Sequence, residues 1–153
     1  MLTLCQSTLD EIIRHSELKY PHEACGLLIG PKEQKTVTRF IACKNIYDTM
    51  HAKDPTTYPR TSKTAYLIDS LDYQKIAREA HESNEEIKSV VHSHTDHDAY
   101  FSDEDRLVAA PWGEPLFPGI SYIVISVWNQ KFKEANEYYW DDRVKDFVVN
   151  RLP

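Results

Sequence analysis

The chain contains 153 residues, of which 41% are hydrophobic and 27% are charged, a composition typical of one soluble domain with a buried core. The formal net charge of −6 argues against nucleic acid as a partner, because no basic block offsets it. No apolar run approaches the roughly 20 residues that a membrane span needs, and residues 1–7 lack the features of a signal peptide, so we expect a cytoplasmic protein without a membrane partner.

The first half of the sequence predicts a helix, a strand hairpin and a long loop. Thr8-x-x-Glu11 resembles a capping box, and apolar residues follow it at helical spacing. The short apolar run at residues 25–30 and the stretch at residues 37–42 predict two paired strands. Residues 45–64 are polar with little periodicity, which is typical of a loop that faces substrate or moves.

The second half of the sequence alternates between the two periodicities. Residues 64–68 predict a strand, and Ser70 is expected to be the N-cap of a second helix. Residues 87–91 predict a strand, Ser102 opens a third helix, and the β-branched run at residues 120–127 predicts a central strand. The expected inner face of the second helix consists of Leu71, Tyr73, Ile76, Ala77 and Ala80.

The C-terminal region completes the predicted fold. Residues 132–140 favour another strand, whose final aromatic run at residues 138–140 is expected to pack at the edge of the core rather than in a dimer contact. Residues 143–152 are expected to form a terminal helix or tail. Strands mixed with about three helices predict an α/β domain of α+β character, with a mixed sheet flanked by helices. The oligomeric state cannot be derived from these patterns.

The three cysteines, Cys5, Cys25 and Cys43, are widely spaced along the chain. They form no C-x-x-C pair, which argues against a cysteine-ligated metal and against a disulfide framework. We therefore expect reduced thiols.

The most informative segment runs from Val91 to Asp105. Because side chains on a strand alternate between its faces, His92 and His94 project from the same face and can chelate one cation. If a helix starts near Ser102, Asp105 lies in its first turn and can supply a third, anionic ligand. Three protein ligands leave one tetrahedral position of a zinc ion open for water, as in catalytic zinc sites. The segment therefore predicts a zinc hydrolase.

A zinc hydrolase also needs a carboxylate that takes a proton from water and returns it to the leaving amine. The composition offers many candidates. Glu23 stands out because it comes shortly before the apolar strand at residues 25–30, although an acidic residue there is also typical of a solvated strand edge.

Two motifs in this order resemble the JAMM metalloprotease family, also known as MPN+ or Mov34/PAD-1. The first is Pro-x-Glu-x-Cys-Gly-Leu-Leu-x-Gly at residues 21–30, and the second is His-Ser-His-x7-Ser-x-x-Asp at residues 92–105. The strand at residues 118–127 is also similar to the family's strand after the metal-bearing helix. The resemblance covers most of the chain. It implies a single JAMM/MPN domain over residues 1–153 with a cytidine-deaminase-like fold, as in prokaryotic members.

The resemblance implies a role for each motif residue. His92, His94 and Asp105 match the ligands of one Zn²⁺ per chain. Glu23 matches the family's general acid/base, and Ser102 matches the serine that hydrogen-bonds the developing oxyanion. The implied reaction is zinc-dependent hydrolysis of a peptide or isopeptide bond.

The loop between the second histidine and the serine departs from the family pattern. The family often has proline directly after that histidine and directly before that serine, where this chain has Thr95 and Phe101. Neither side chain takes part in the chemistry, so we expect changed loop rigidity and retained activity. His97 in the same loop is expected to be an exposed residue and not a metal ligand.

The resemblance to prokaryotic members implies a ubiquitin-like or sulfur-carrier protein as substrate, cut at its C-terminal Gly-Gly. A narrow cleft suits such a tail, because side chains there would obstruct close approach to the metal. Deubiquitinase-like isopeptidase and cell-wall peptidase activities are the other branches, and the lack of a signal segment disfavours the second. We expect substrate contacts in residues 45–64.

Two other functions compete with a peptidase. His-x-His-Thr followed by Ser-Asp superficially resembles the opening motif of PHP phosphoesterases, but these need several further histidines, and only His97 follows His94. Relatives of the JAMM fold that lack the metal ligands act as scaffolds in multiprotein assemblies, whereas this chain retains the motif residues. The zinc content of purified protein separates an enzyme from a scaffold.

Overall fold

The computed structural model describes residues 1–153 and arranges them around one six-stranded sheet. In chain order the elements are α1 (Gln6–Lys19), β1 (Cys25–Pro31), β2 (Arg39–Cys43), α2 (Tyr47–Lys53), α3 (Ser70–Glu82), β3 (Glu85–Thr95), α4 (Asp103–Ala109), β4 (Ser121–Trp128), β5 (Lys131–Asp141) and β6 (Asp146–Arg151). The strand order is β2-β1-β3-β4-β5-β6, and only β3 and β4 run parallel to each other. The predicted mixed sheet flanked by helices is confirmed. No helix has both the length and the apolar composition that a membrane span requires.

The two faces of the sheet bury separate apolar clusters. α1 packs Leu9 onto one face, and α3 and α4 place Ala80 and Ala109 on the other. β3 alternates between the clusters, since Val91 faces α1 and Val90 faces α3. The same alternation sends the side chains of residues 92 and 94 to the α3 face.

The parallel pair at the centre of the sheet determines where α4 lies. Parallel neighbours need a crossover connection that returns the chain to the opposite end of the sheet. Residues 96–120 form this crossover between β3 and β4, and α4 is part of it. The carboxyl end of β3 therefore lies close to the start of α4.

Two glycines of the first motif lie where neighbouring segments approach β1 closely. Gly26 faces β2, and Gly30 faces the turn between β1 and β2. A Cβ atom on Gly30 would lie 1.9 Å from the carbonyl oxygen of Thr36, and one on Gly26 would lie 2.3 Å from the Phe40 ring. Both distances are far shorter than a van der Waals contact. The glycine spacing of the motif is thus a packing requirement of the hairpin.

Three predictions of secondary structure are wrong. Residues 143–152 contain the end of a turn and the whole of β6 rather than a helix or tail, because β6 pairs with β5 at the sheet edge. Residues 64–68 form no strand, and only Ile68 makes an isolated bridge, to Asn45. The expected loop at residues 45–64 contains the short helix α2, which buries none of its residues.

Two helix starts also differ from the sequence prediction. Thr8 and Glu11 lie inside α1, which begins before them, so they are not a capping box. The N-cap of α3 is Asp69 rather than Ser70, because the Asp69 carboxylate accepts a hydrogen bond from the amide of Leu71. The Leu71 side chain is exposed rather than on the inner face. The other predicted inner-face residues do pack against the core, namely Tyr73, Ile76, Ala77 and Ala80.

Substituting Gly30→Ala is expected to destabilise the protein by about 1–3 kcal/mol, because the new methyl group must displace the backbone at Thr36. Chemical denaturation measures this change directly. Lys35→Ala is the control, since it adds no atoms to the same hairpin and its side chain is exposed. Equal stability of the Gly30→Ala variant and the wild type would contradict the close approach of the two segments.

Candidate metal centre

His92 and His94 lie at the carboxyl end of β3 and share the α3 face, as the strand periodicity predicts. Both side chains are buried. Their Nε2 atoms are 3.2 Å apart, so the two imidazoles direct the same ring nitrogen at one point. This is the arrangement expected of two ligands to one cation.

The N-terminus of α4 supplies the third donor, and a capping box fixes its position. The amide of Asp105 donates to Ser102 Oγ at 3.0 Å, and the amide of Ser102 donates back to Asp105 Oδ2 at 3.0 Å. The Ser102 hydroxyl also donates to that oxygen, at 2.7 Å. Ser102 therefore orients the carboxylate toward the histidines.

The separations of the three donors test whether a metal fits. Asp105 Oδ1 is 3.3 Å from His92 Nε2, and Asp105 Oδ2 is 3.6 Å from His94 Nε2. Ligands about 2.0–2.1 Å from a tetrahedral zinc are about 3.3–3.4 Å from each other. The two imidazoles and the carboxylate therefore fit zinc in both chemistry and spacing, with room for a fourth ligand. The donor atoms of these three residues all lie within 4.8 Å of one another.

Neighbouring groups orient the two imidazoles. His94 Nδ1 lies 2.8 Å from the carbonyl oxygen of Asp98, to which it donates, so the lone pair of a neutral ring is on Nε2. The His92 ring stacks on Tyr66 with centroids 4.3 Å apart and an interplanar angle of 15°. Tyr100 contacts the His94 ring edge-on. The sequence patterns did not identify either tyrosine, because Tyr66 lies outside both motifs and Tyr100 occupies one of the seven positions that the second motif leaves open.

The protonation states of His92 and Asp105 also suit a cation. Burial lowers the pKa of His92, which favours the neutral ring that a metal requires. Burial alone would raise the pKa of Asp105, but its electrostatic interaction with the neighbouring His92 ring and the hydrogen bond from the Ser102 hydroxyl hold that pKa well below its usual range. Asp105 therefore offers a full negative charge at neutral pH.

Glu23 reaches the same site from the neighbouring strand. Cys25 of β1 is opposite His92, and Ser93 donates its amide hydrogen to the carbonyl of Ala24, so Glu23 lies level with His94. Its side chain is only 7% exposed, and burial raises its pKa to about 8. A nearby cation would lower this pKa again by favouring the carboxylate. The group can thus hold or release a proton near neutral pH.

Hydrogen bonds to the segment that follows β2 hold both the amide and the carbonyl group of Glu23. The Glu23 amide donates to the carbonyl oxygen of Ser62 at 2.7 Å. The Glu23 carbonyl accepts a hydrogen bond from Asn45 Nδ2 at 3.0 Å. Asn45 makes three further hydrogen bonds, to backbone atoms of Tyr47, Ala65 and Leu67. Sequence reasoning missed Asn45 and Ser62, since both stand in a polar stretch without periodicity.

The loop between His94 and Ser102 lacks the prolines that the family often has there, and contacts with other segments hold it instead. The Thr95 hydroxyl donates to the carbonyl of Lys63 at 2.8 Å. Phe101 is buried and stacks on Tyr138 with centroids 5.0 Å apart. Packing and one hydrogen bond thus anchor both ends of the loop, and Tyr138 of the aromatic run lies in the core as expected. His97 is exposed, as expected, and lies outside the group of three donor residues; that it binds no metal stays a prediction.

Cys25 lies beside the site but is not suited to act as a nucleophile. It is buried, and burial raises the pKa of its thiol to about 12, so the reactive thiolate is absent at neutral pH. All three cysteines are free, as the sequence predicts.

A cavity of about 670 Å³ opens over the three candidate donor residues. Glu23, His94, Ser102 and Asp105 line its polar part, whereas His92 lies below its surface. The segment expected to contact substrate contributes Tyr47, Thr57, Pro59, Arg60 and Thr64. Apolar side chains of α3, of α4 and of the chain around them complete the lining, among them Ile68, Tyr73, Leu107, Val108, Leu116 and Phe117.

Comparison with known proteins agrees with this geometry. A sequence model of the family described as prokaryotic homologs of the JAB domain matches residues 6–141. The chain belongs to this family. The resemblance to JAMM proteins is therefore confirmed, and the histidine pair belongs to a JAB domain rather than to a PHP phosphoesterase.

Relatives of this JAB domain match it along nearly its whole length. The CysO-cysteine peptidase of Mycobacterium tuberculosis is 26% identical over 153 residues, which are 100% of this chain and 89% of the relative. The solution structure of a Desulfitobacterium hafniense protein covers 99% of this chain and 90% of its own, with a TM-score of 0.67 and 22% identity. The solution structure of a Salinibacter ruber protein covers 98% of this chain and 88% of its own, with a TM-score of 0.65 and 25% identity.

The JAB domain is expected to bind one zinc ion per chain, whereas His92→Ala and Asp105→Ala variants are expected to lose it. Elemental analysis after dialysis measures the stoichiometry. Zinc at a hundredfold excess over its Kd should also stabilise the wild type by about 2.7 kcal/mol, because it binds only the folded state. His97→Ala is the matched control and should retain one zinc. Stoichiometric zinc in the His92→Ala variant would show that the ligand assignment is wrong.

Proposed function

We propose that this JAB domain is a zinc-dependent peptidase whose metal ligands are His92, His94 and Asp105. The observation that carries the proposal is that Glu23 and the three-donor cluster meet at one cavity, although they come from separate elements of the fold. When bound, zinc polarises the scissile carbonyl and lowers the pKa of water. A scaffold protein has no need for a buried carboxylate beside a preformed set of metal donors.

Glu23 is proposed to move the proton. It accepts a proton from the attacking water as the new carbon–oxygen bond forms, and it then gives that proton to the amide nitrogen as the carbon–nitrogen bond breaks. Its position level with His94 suits both directions of transfer, as does a pKa that burial raises and a bound cation would lower again. The products are a carboxylic acid and an amine, and the second proton of the water passes from the acid to the amine to give a carboxylate and an ammonium group.

Ser102 is proposed to stabilise the oxyanion. Its hydroxyl hydrogen, which here points to Asp105, would turn toward the substrate oxygen. The cap of α4 survives this rotation, because the Ser102 oxygen can still accept the amide hydrogen of Asp105. One side chain can thus orient a metal ligand and act on the substrate.

The proposed substrate is a ubiquitin-like or sulfur-carrier protein, cut after its C-terminal Gly-Gly. A relative named CysO-cysteine peptidase supports this class. Four apolar side chains are exposed at the mouth of the cavity, namely Leu107, Val108, Leu116 and Phe117. Exposed apolar surface of this kind suits a protein partner. A glycine tail can approach the buried site without side chains that collide with the lining.

The test uses a sulfur-carrier protein that bears one cysteine after its Gly-Gly, with mass spectrometry of the products. Glu23→Gln is expected to reduce cleavage by about 10²–10⁴-fold, because the amide cannot transfer the proton. Its zinc content should stay unchanged, since Glu23 is not among the metal donors.

Glu104→Gln is the matched control, because this exposed carboxylate lines the same cavity but lies outside the donor cluster. It should cleave like the wild type. Equal cleavage by the Glu23→Gln variant would show that Glu23 is not the acid/base. Failure of the zinc-loaded wild type to cleave would overturn the proposed substrate.

A further inference from the structure

One cationic side chain in the cavity has no function in the chemistry proposed above. Arg60 is the only lysine or arginine among the residues that line the cavity. It forms no ion pair with any carboxylate of the chain. Its side chain is only partly exposed. A partly buried guanidinium without an acidic partner is available for an anion from outside the chain.

The backbone holds Arg60 close to Glu23. Arg60 precedes Ser62 by two residues, and the Ser62 carbonyl accepts the amide hydrogen of Glu23 at 2.7 Å. Ser62 is fixed in turn by Asp48 of α2, which accepts hydrogen bonds from its amide at 2.7 Å and from its hydroxyl at 2.6 Å. The guanidinium charge is near enough to Glu23 to act on its carboxyl group.

The chemistry of peptide hydrolysis indicates which anion would bind near Arg60. Glu23 must protonate the scissile nitrogen, so that nitrogen lies beside it during the reaction. If the residue being released is the last one of the chain, its carboxylate is separated from this nitrogen only by the α-carbon. That carboxylate must enter a site that already contains the negative charges of Glu23 and Asp105. Without a cation, repulsion between like charges would oppose its binding.

We propose that Arg60 binds the terminal carboxylate of the residue released, and that this JAB domain therefore prefers a single residue with a free carboxyl group after the scissile bond. The inference rests on the proposed function and narrows its substrate class. An isopeptide bond to a lysine side chain, or a bond followed by more chain, offers no carboxylate at this place. Arg60 is thus a specificity residue for a carboxypeptidase-like cleavage, since a guanidinium can pair with a carboxylate in bidentate fashion.

The test compares two forms of one substrate. A ubiquitin-like sulfur-carrier protein with one cysteine after its Gly-Gly is prepared with either a free C-terminal carboxylate or a carboxamide. The wild type is expected to cleave the acid with the higher kcat/KM. Arg60→Gln is expected to lower kcat/KM for the acid by about tenfold to a hundredfold and to leave the carboxamide nearly unchanged. Arg60→Lys should keep part of the preference, because it retains the charge.

A binding measurement separates this role from an effect on catalysis. In the Glu23→Gln background, which is expected to be inactive, calorimetry should show that Arg60→Gln weakens binding of the acid but not of the carboxamide. Lys63→Gln is the matched control, because Lys63 is an exposed cation nearby that does not line the cavity. It should leave both affinities unchanged.

The outcomes distinguish the two proposals. An equal loss of kcat/KM for acid and carboxamide would mean that Arg60 acts on Glu23 and not on the substrate carboxylate, and the inference would be overturned while the proposed function stands. Equal use of both forms by the wild type would overturn the inference in the same way. If the zinc-loaded wild type cleaves neither form, the proposed substrate itself is wrong, and the inference about Arg60 falls with it.

Discussion

The parallel pairing of β3 with β4 is the constraint on which the metal site depends. Antiparallel neighbours can be joined by a tight turn, but a parallel pair needs a long connection over one face of the sheet. Here that connection begins directly after His94 and carries α4 across the face on which the histidines lie. The capping box at its start then sets the direction of the Asp105 carboxylate. Two strand residues and one helix residue become a single donor set for this reason.

A second constraint places the proposed acid/base. The antiparallel pairing of β1 with β3 brings Glu23 level with His94. The chain after β2 has little regular structure, and Asn45 and Ser62 fix it instead by hydrogen bonds to the backbone of Glu23. The least regular part of the fold thus holds a residue that must be placed most accurately. It also brings Arg60 into the cavity.

Electrostatics explain why the carboxyl groups of Glu23 and Asp105 require positive charge beside them. Glu23 and Asp105 place two carboxyl groups at one cavity, an arrangement that is costly without positive charge. Burial and this repulsion raise the pKa of Glu23 to about 8, while the histidines keep Asp105 ionised. A divalent cation at the donor cluster would relieve the excess negative charge. In our proposal, a metal and a substrate that bears an anion next to Arg60 complete the site.

The sequence by itself determined the donor residues and the main elements of the fold. Strand periodicity is enough to place His92 and His94 on one face, and the serine cap predicts the first turn that carries Asp105, since both are local properties of the chain. Tertiary structure alone decided that residues 146–151 form a strand and that Asn45 and Ser62 hold the backbone of Glu23. Edge pairing, and hydrogen bonds between segments far apart in the chain, depend on what lies opposite in space, and no local pattern of residues contains that information.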